Sequence, residues 1–171
     1  MQENSFGPAQ FLVENVDILP KGRVLDVAMG NGRNSMYLAK LGFCVEGIDI
    51  STEGVSTALE LAQKAGVTIK AQVANLESYV IEKEAYELII CFNYLQRSLI
   101  PQIKDGLIRN GMIVYETFIV DQAQFGKPNN PDYLLKHNEL LTMFCDFRCL
   151  RYQEGVFEGS KAIASIIAQK I

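Results

Sequence analysis

Five short apolar runs, each parted from the next by an amphipathic or polar stretch, constrain this chain more than any other feature. Arg23 to Met29 (RVLDVAM), Phe43 to Ile50 (FCVEGIDI), Val67 to Val73, Tyr86 to Phe92 (YELIICF) and Gly111 to Phe118 (GMIVYETF) read as buried strands. Between them, Asn34 to Leu41 reads as a helix capped by Gly42, and Thr52 to Ala65 as a helix stopped by Gly66. Asn75 to Glu84 is a short polar segment, and Arg97 to Leu107 a helix with Pro101 in an early turn. A helix over Pro8 to Leu19, opened by Pro8 and stopped before Pro20, precedes the first strand. Strands joined through helices run parallel with right-handed crossovers, so the pattern predicts an α/β protein. Ligands of such open sheets bind beyond the carboxyl ends of the strands, where the strand order reverses.

After the fifth strand, the stretch from Asp121 to Asp132, rich in Gly, Pro, Asn and Asp, reads as a loop. A helix near Lys136 to Phe144 follows. Two last strands, Phe147 to Gln153 and Ala162 to Ala168, are joined through Glu154–Ser160 as a hairpin. No linker or repeat interrupts the 171 residues, which predicts one domain over 1–171 with an N-terminal helix region at 1–20. With 49% hydrophobic and 21% charged residues, a chain of this size builds a core without disulfides or metal. A net charge of -4 and the absence of a basic run argue against a broad nucleic-acid surface. No apolar stretch approaches the roughly 18–20 residues of a membrane span. The start, Met1 to Ser5, carries no secretory pattern, and Cys44, Cys91, Cys145 and Cys149 read as reduced, core or half-buried thiols. The expectation is a cytoplasmic protein without a metal site.

The first strand ends in Asp26-Val27-Ala28-Met29-Gly30-Asn31-Gly32-Arg33-Asn34. Small residues at 28, 30 and 32 admit a ligand close to the backbone, and the helix that follows aims free N–H groups at it. Asp26 sits within an apolar strand and needs a donor, either the turn's own amides or a cationic ligand. Asp49 closes the second strand 19 residues after Gly30. That spacing suits an acid that receives ribose hydroxyls; its alternative is a helix cap or turn residue. A dinucleotide fold wants glycine where Ser35 stands, and Asp26 would repel a diphosphate. A ligand with an amine, a sulfonium and no phosphate fits better: S-adenosyl-L-methionine.

On these residues the chain resembles the class I S-adenosylmethionine-dependent methyltransferases, and among them the small single-domain, tellurite-resistance-type members. The resemblance rests on VLDVAMGNGRNSMYLA, VEGIDIS, ANLES, YELIICFNYLQRSLIPQI and FGKPNNPDYLL. It implies a Rossmann-like sheet of seven mostly parallel strands with an antiparallel last strand and helices on both faces. It implies that Asp26, Ala28 and Gly30 surround the methionine part, that Gly32 permits the close turn, and that Asp49 holds the ribose with Ile50 against the adenine. Asn75 and Leu76 match positions that meet the adenine edge and face, and Phe92 and Asn93 positions that line the methyl side. Two departures stand out: Ala28 where the family has Gly, which requires a negative φ there, and Asn75 where Asp is commoner.

On the acceptor side, Tyr94 and Arg97 follow the fourth strand and Glu116 ends the fifth. Arg97 is a candidate for binding an anionic substrate or else a helix-surface cation. Glu116 is a candidate base or else a solvated strand-end acid. Alternation sends Tyr115 and Thr117 to one face and Glu116 to the other. The stretch from Phe125 to Tyr133 is a candidate lid, Phe6 to Phe11 a weaker one, and His137 a surface residue. The function expected is methyl transfer to a small-molecule acceptor: a chalcogen, thiol or oxyanion. The alternatives are a non-catalytic S-adenosylmethionine-binding module or partner subunit, and an NAD-dependent oxidoreductase, against which Asp26 and Ser35 argue.

Overall fold

The computed structural model describes residues 7–171; the expectations placed on Met1–Ser5 and on Phe6 lie outside the described residues. Helix α1 (Gln10–Asn15) runs into a 3-10 turn at Val16–Ile18 and leads to β1 (Arg23–Val27). Then come α2 (Arg33–Lys40), β2 (Cys44–Asp49), α3 (Thr52–Lys64), β3 (Lys70–Val73) and β4 (Tyr86–Phe92). A 3-10 turn at Arg97–Leu99 opens α4 (Ile100–Gly106), which passes directly into β5 (Leu107–Phe118). Two further 3-10 turns, Val120–Gln124 and Pro131–Tyr133, shape the connection to α5 (Glu139–Met143). The chain closes with β6 (Arg148–Phe157) and β7 (Lys161–Gln169).

The seven strands form one sheet in the order β3-β2-β1-β4-β5-β7-β6. The first five are parallel, and β7 runs antiparallel to both β5 and β6. This is the Rossmann-like arrangement with a reversed last strand that the family resemblance implies, built on the mostly parallel sheet and closing hairpin that the apolar runs predict. The chain moves outward from β1 to β3, then crosses back to β4 on the other side of β1. The crevice beyond the ends of β1 and β4 is therefore the point where the strand order reverses.

Period-two alternation sorts the core onto two faces. Leu25, Val27, Ile89, Cys91, Ile113 and Tyr115 pack on one face against α4 and α5, with Ile103, Leu140 and Phe144. Val24, Leu88, Ile90, Phe92 and Val114 pack on the other with Leu12, Leu38, Val55 and Ala58 of α1, α2 and α3. The central strands are buried on both sides, which explains their unbroken apolar runs.

Several boundaries differ from the sequence reading. β5 begins at Leu107 rather than Gly111, because Gly106 ends α4 with no loop between. The hairpin turn is tighter than Glu154–Ser160, since β6 continues to Phe157 and β7 starts at Lys161. Of the four cysteines only Cys91 is buried; Cys44, Cys145 and Cys149 are exposed, which corrects the reading of all four as core or half-buried. Cys44 opens β2 at the sheet's rim, and Cys149 lies on the edge strand β6, positions that apolar periodicity does not reveal.

Arg97, a candidate for an anionic substrate or else a helix-surface cation, is engaged within the protein. Its Nε and Nη2 donate to the two carboxylate oxygens of Glu139 at 2.6 and 3.0 Å, and Nη1 and Nη2 donate to the carbonyls of Asp132 and Leu134 at 3.1 and 3.0 Å. The guanidinium is thus spent on fastening the 131–139 segment to the start of α4, not held ready for a substrate anion. Its side chain is 41% exposed, so solvent screening reduces the worth of the pair. Arg97→Ala is expected to cost about 1–2 kcal/mol, a fall in Tm of about 3–6 °C for a domain of this size. An unchanged melting temperature would contradict this bracing role.

Candidate functional site

The turn after β1 is built from side chains that hold one another in place. Asp49, the last residue of β2, accepts the Gly30 backbone N–H at Oδ2 (2.8 Å) and the Ser51 N–H at Oδ1 (2.8 Å). The cap of α3 is Ser51, whose Oγ accepts from the Gly54 N–H at 3.0 Å, so Asp49 is not the capping residue. Its carboxylate instead locks the β1 turn to the end of β2. Met29 N–H donates to the Ile48 carbonyl at 3.0 Å, and Gly32 N–H to the Met29 carbonyl at 3.0 Å, completing the turn.

Three positions in that turn lie in the left-handed region. Gly30 has φ +57° and Gly32 φ +78°, and a Cβ on Gly32 would meet the Ala58 Cβ at 2.7 Å. A Cβ on Gly30 would meet nothing within 4 Å, so that residue faces open space. Ala28 also has φ +57°, so the negative φ under which its methyl would be readily tolerated is not met. The turn imposes the conformation, and alanine adopts it at a steric cost of about 1–2 kcal/mol. Two glycines that the sequence reading passed over are equally constrained. A Cβ on Gly47 would lie 1.9 Å from the Met29 Sδ, and one on Gly54 2.9 Å from the Gly30 carbonyl oxygen. Both let β2 and α3 press against the turn.

Asp26 is buried, and its donor is within the protein: Ser35 Oγ donates to its Oδ2 at 2.6 Å. Ser35, noted in the sequence only because it is not glycine, is therefore the partner of the strand's acid. Burial pushes the Asp26 carboxyl up to about 7, against the opposing pull of the Ser35 hydrogen bond, and the nearby Asp49 charge adds to the rise.

The adjoining positions complete the crevice. Ile50 is 67% exposed, an apolar side chain standing in solvent beside Asp49. Asn75 is exposed and accepts the Glu77 N–H at 3.0 Å, which fixes the turn after β3. Leu76 is buried in the core below it, so it supports the turn more than it offers a face. At the end of β4, Phe92 is buried, and Asn93, with φ +56°, bends the chain while its N–H donates to the Glu116 carbonyl at 2.9 Å. Tyr94 Oη donates to Gln96 Oε1 at 2.6 Å, and its carbonyl accepts from Tyr115 Oη at 2.7 Å, so both phenols are structural partners. Burial raises both phenols above their ordinary range, which keeps them neutral.

A cleft of about 1020 Å³ opens on the β5–β7 side of this crevice. It shares Arg33 and Asn93 with the turn but not Asp26, Asp49 or Ile50. Glu116 lines it and is 3% exposed, which replaces the solvated strand-end acid of the sequence reading with a buried carboxylate. Residues 7–11 line it as well: Ala9 N–H donates to the buried Asn34 Oδ1 at 2.8 Å, and Arg33 Nη1 to the Gly7 carbonyl at 3.4 Å. The stretch ranked as the weaker lid is thus tied to the site's own helix. From the 121–133 loop, Phe125 and Lys127 reach the cleft, and Gln122 anchors the loop by accepting the Ala162 N–H at 2.8 Å. His137 is exposed and paired with Asp121 at 2.8 Å, away from the lining.

Known proteins resemble this chain in sequence and in fold. A family model described as tellurite resistance protein TehB matches residues 9–165. The chain is 24% identical over 149 residues to hemagglutinin 1 of Eikenella corrodens, covering 84% of this chain and 49% of that protein. It is 26% identical over 156 residues to a probable S-adenosyl-L-methionine-dependent methyltransferase TehB of Haemophilus influenzae, covering 88% of this chain and 54% of that one. The chain thus spans about half the length of these curated relatives. The crystal structure of TehB from Haemophilus influenzae superposes with a TM-score of 0.84 at 22% identity, over 99% of this chain and 64% of that chain, and so shares the fold.

The buried acid gives a pH signature that needs no ligand. A carboxyl that binds its proton more tightly when folded than its ordinary value of about 4 stabilises the fold fully below that value. That contribution is lost as pH rises through about 7. Urea unfolding is therefore expected to show the wild type losing stability between pH 5 and pH 8 relative to Asp26→Asn. Parallel pH profiles for the two proteins would contradict the burial argument.

Proposed function

The chain belongs to the TehB tellurite-resistance protein family, and on that footing we propose that it is an S-adenosyl-L-methionine-dependent methyltransferase acting on a small molecule. The observation that carries the proposal is the clasp between Asp49 and Gly30 at the reversal of strand order. It holds a carboxylate beside a glycine whose Cα faces open space. The donor set suits a nucleoside with a cationic amino acid and no phosphate. Asp49 would take the ribose hydroxyls, and exposed Ile50 would cover one adenine face, with Asn75 at the adenine edge. Asp26, Ala28 and Gly30 would border the methionine end, Gly32 would keep the turn closed, and Leu76 and Phe92 would support the crevice from beneath.

The bound cofactor supplies an electrophilic methyl group on a sulfonium. The protein's part is alignment and water exclusion, because an in-line displacement needs the nucleophile held about 3 Å from the methyl carbon. Asn93, Tyr94 and Glu116 border the side from which an acceptor enters; Arg97 braces the loop behind them. The 1020 Å³ cleft suits a small acceptor of the chalcogen, thiol or oxyanion kind.

Calorimetry distinguishes this reading from a dinucleotide enzyme. S-adenosylmethionine is expected to bind and NAD not; binding of NAD alone would overturn the assignment. Asp49→Ala removes both the ribose acceptor and the lock on Gly30, so affinity for S-adenosylmethionine is expected to fall by about tenfold or more. Circular dichroism is expected to remain that of a folded chain. Unchanged affinity in a folded Asp49→Ala protein would place the nucleoside elsewhere.

A further inference from the structure

The floor of the cleft carries a polar row that the nucleoside crevice does not use. Glu116 of β5 stands opposite Ser165 of β7, and Ser165 opposite Gln153 of β6. Ser165 Oγ donates to Glu116 Oε2 at 2.7 Å, and Gln153 Nε2 donates to Ser165 Oγ at 3.2 Å. Lys161 Nζ lies 3.7 Å from the other carboxylate oxygen, Oε1. Ser165 is fully buried and Glu116 nearly so, so the row is a rigid part of the sheet rather than a surface cluster. The hydroxyl occupies Oε2, which leaves Oε1 on the side of Lys161, a residue of the cleft lining.

The rest of the lining narrows the acceptor further. Phe11, Phe118, Phe125 and Phe157 give the cleft aromatic walls suited to a ring. Arg33, Lys127 and Lys161 are matched in number by Glu14, Glu116 and Glu158, so the lining presents no net positive field to draw in an oxyanion. The floor carboxylate, with its charge offset only by Lys161 at 3.7 Å, adds no attraction for such an anion. It would accept a hydrogen bond from a neutral O–H or S–H group.

We infer that the acceptor is a neutral, ring-bearing thiol or hydroxyl compound, and that Glu116 is the base that takes its proton. The inference rests on the methyltransferase reading above and selects among the acceptors left open there. The acceptor's O–H or S–H bond breaks with its proton passing to the Glu116 carboxylate. The freed electron pair forms the bond to the methyl carbon. The carbon–sulfur bond that is displaced leaves its pair on sulfur, converting the sulfonium to a neutral thioether. Ser165 and Gln153 are positioning residues, which fix the carboxylate through Oε2.

The test begins without turnover. 4-Nitrophenol is titrated with the wild-type chain at a pH where the free phenol is half ionised. A carboxylate accepting its O–H disfavours the phenolate, so the yellow absorbance is expected to fall on binding to wild type and not on binding to Glu116→Gln. Failure of wild type to bind the phenol, or a rise in yellow on binding, would overturn the inference. In turnover, phenylmethanethiol and catechol are expected to release S-adenosylhomocysteine, whereas selenite and tellurite are not. Glu116→Gln is expected to lower kcat by about 100-fold or more while the calorimetric Kd for S-adenosylmethionine stays unchanged. Turnover of the oxyanions alone, or an undiminished kcat in the variant, would overturn the role of Glu116. A wild-type chain that does not bind S-adenosylmethionine at all would instead sink the underlying methyltransferase reading.

Discussion

The contact between the Asp49 carboxylate and the Gly30 amide, at 2.8 Å, is the joint on which the site depends. It ties the end of β2 to the turn that follows β1 and keeps Gly30 open on one side while Gly32 is closed against Ala58. The same carboxylate takes the Ser51 amide, so the start of α3 is set by the group that faces the crevice. A single side chain thus couples two strands and a helix start at the reversal of strand order. Loss of a charge-assisted hydrogen bond of this kind is felt both by the local backbone and by whatever the carboxylate binds.

A second consequence of the sheet order is a division of labour across the reversal point. On the β2 side stand the acids, the glycine turn and an exposed isoleucine, which suit a nucleoside. On the β5–β7 side stands a cleft lined by Glu116 and Gln153, with Ser165 buried beneath and bonded to both, and walled by phenylalanines. Arg33 and Asn93 border both. The reversed β7 is what makes the second half: an antiparallel partner of β5 brings Ser165 opposite Glu116, a pairing that five parallel strands alone would not supply.

Much of the parallel sheet was legible because strands buried on both faces must be continuously apolar, as YELIICF is. Asp49 was legible through its distance from Gly30, since the length of a β-α-β unit brings those two ends together. Other features depend on contacts remote in sequence. The backbone of Ala28 is set by the turn around it, so no property of alanine announces φ +57°. Gly47 and Gly54 read as ordinary strand and helix residues until the Met29 side chain and the Gly30 carbonyl are seen against them. Arg97 looks the same as a substrate-binding arginine until Glu139 is found 42 positions away at 2.6 Å. The burial of Glu116 follows from β7, distant in the chain, whose Ser165 and Lys161 lie against its carboxylate. Alternation correctly separated Glu116 from Tyr115, yet alternation speaks of faces and not of depth.

The proposed position of the nucleoside is the Gly30–Asp49 joint. Following backbone amide resonances of the full chain during titration with S-adenosylmethionine addresses it directly. The amides of Gly30, Ser51 and Ile50 are expected to shift together and to saturate at one ligand concentration, while those of Lys104 and Phe147 at the opposite end of the sheet stay in place. Saturable shifts confined to residues away from the joint, with Gly30 and Ile50 unmoved, would contradict it.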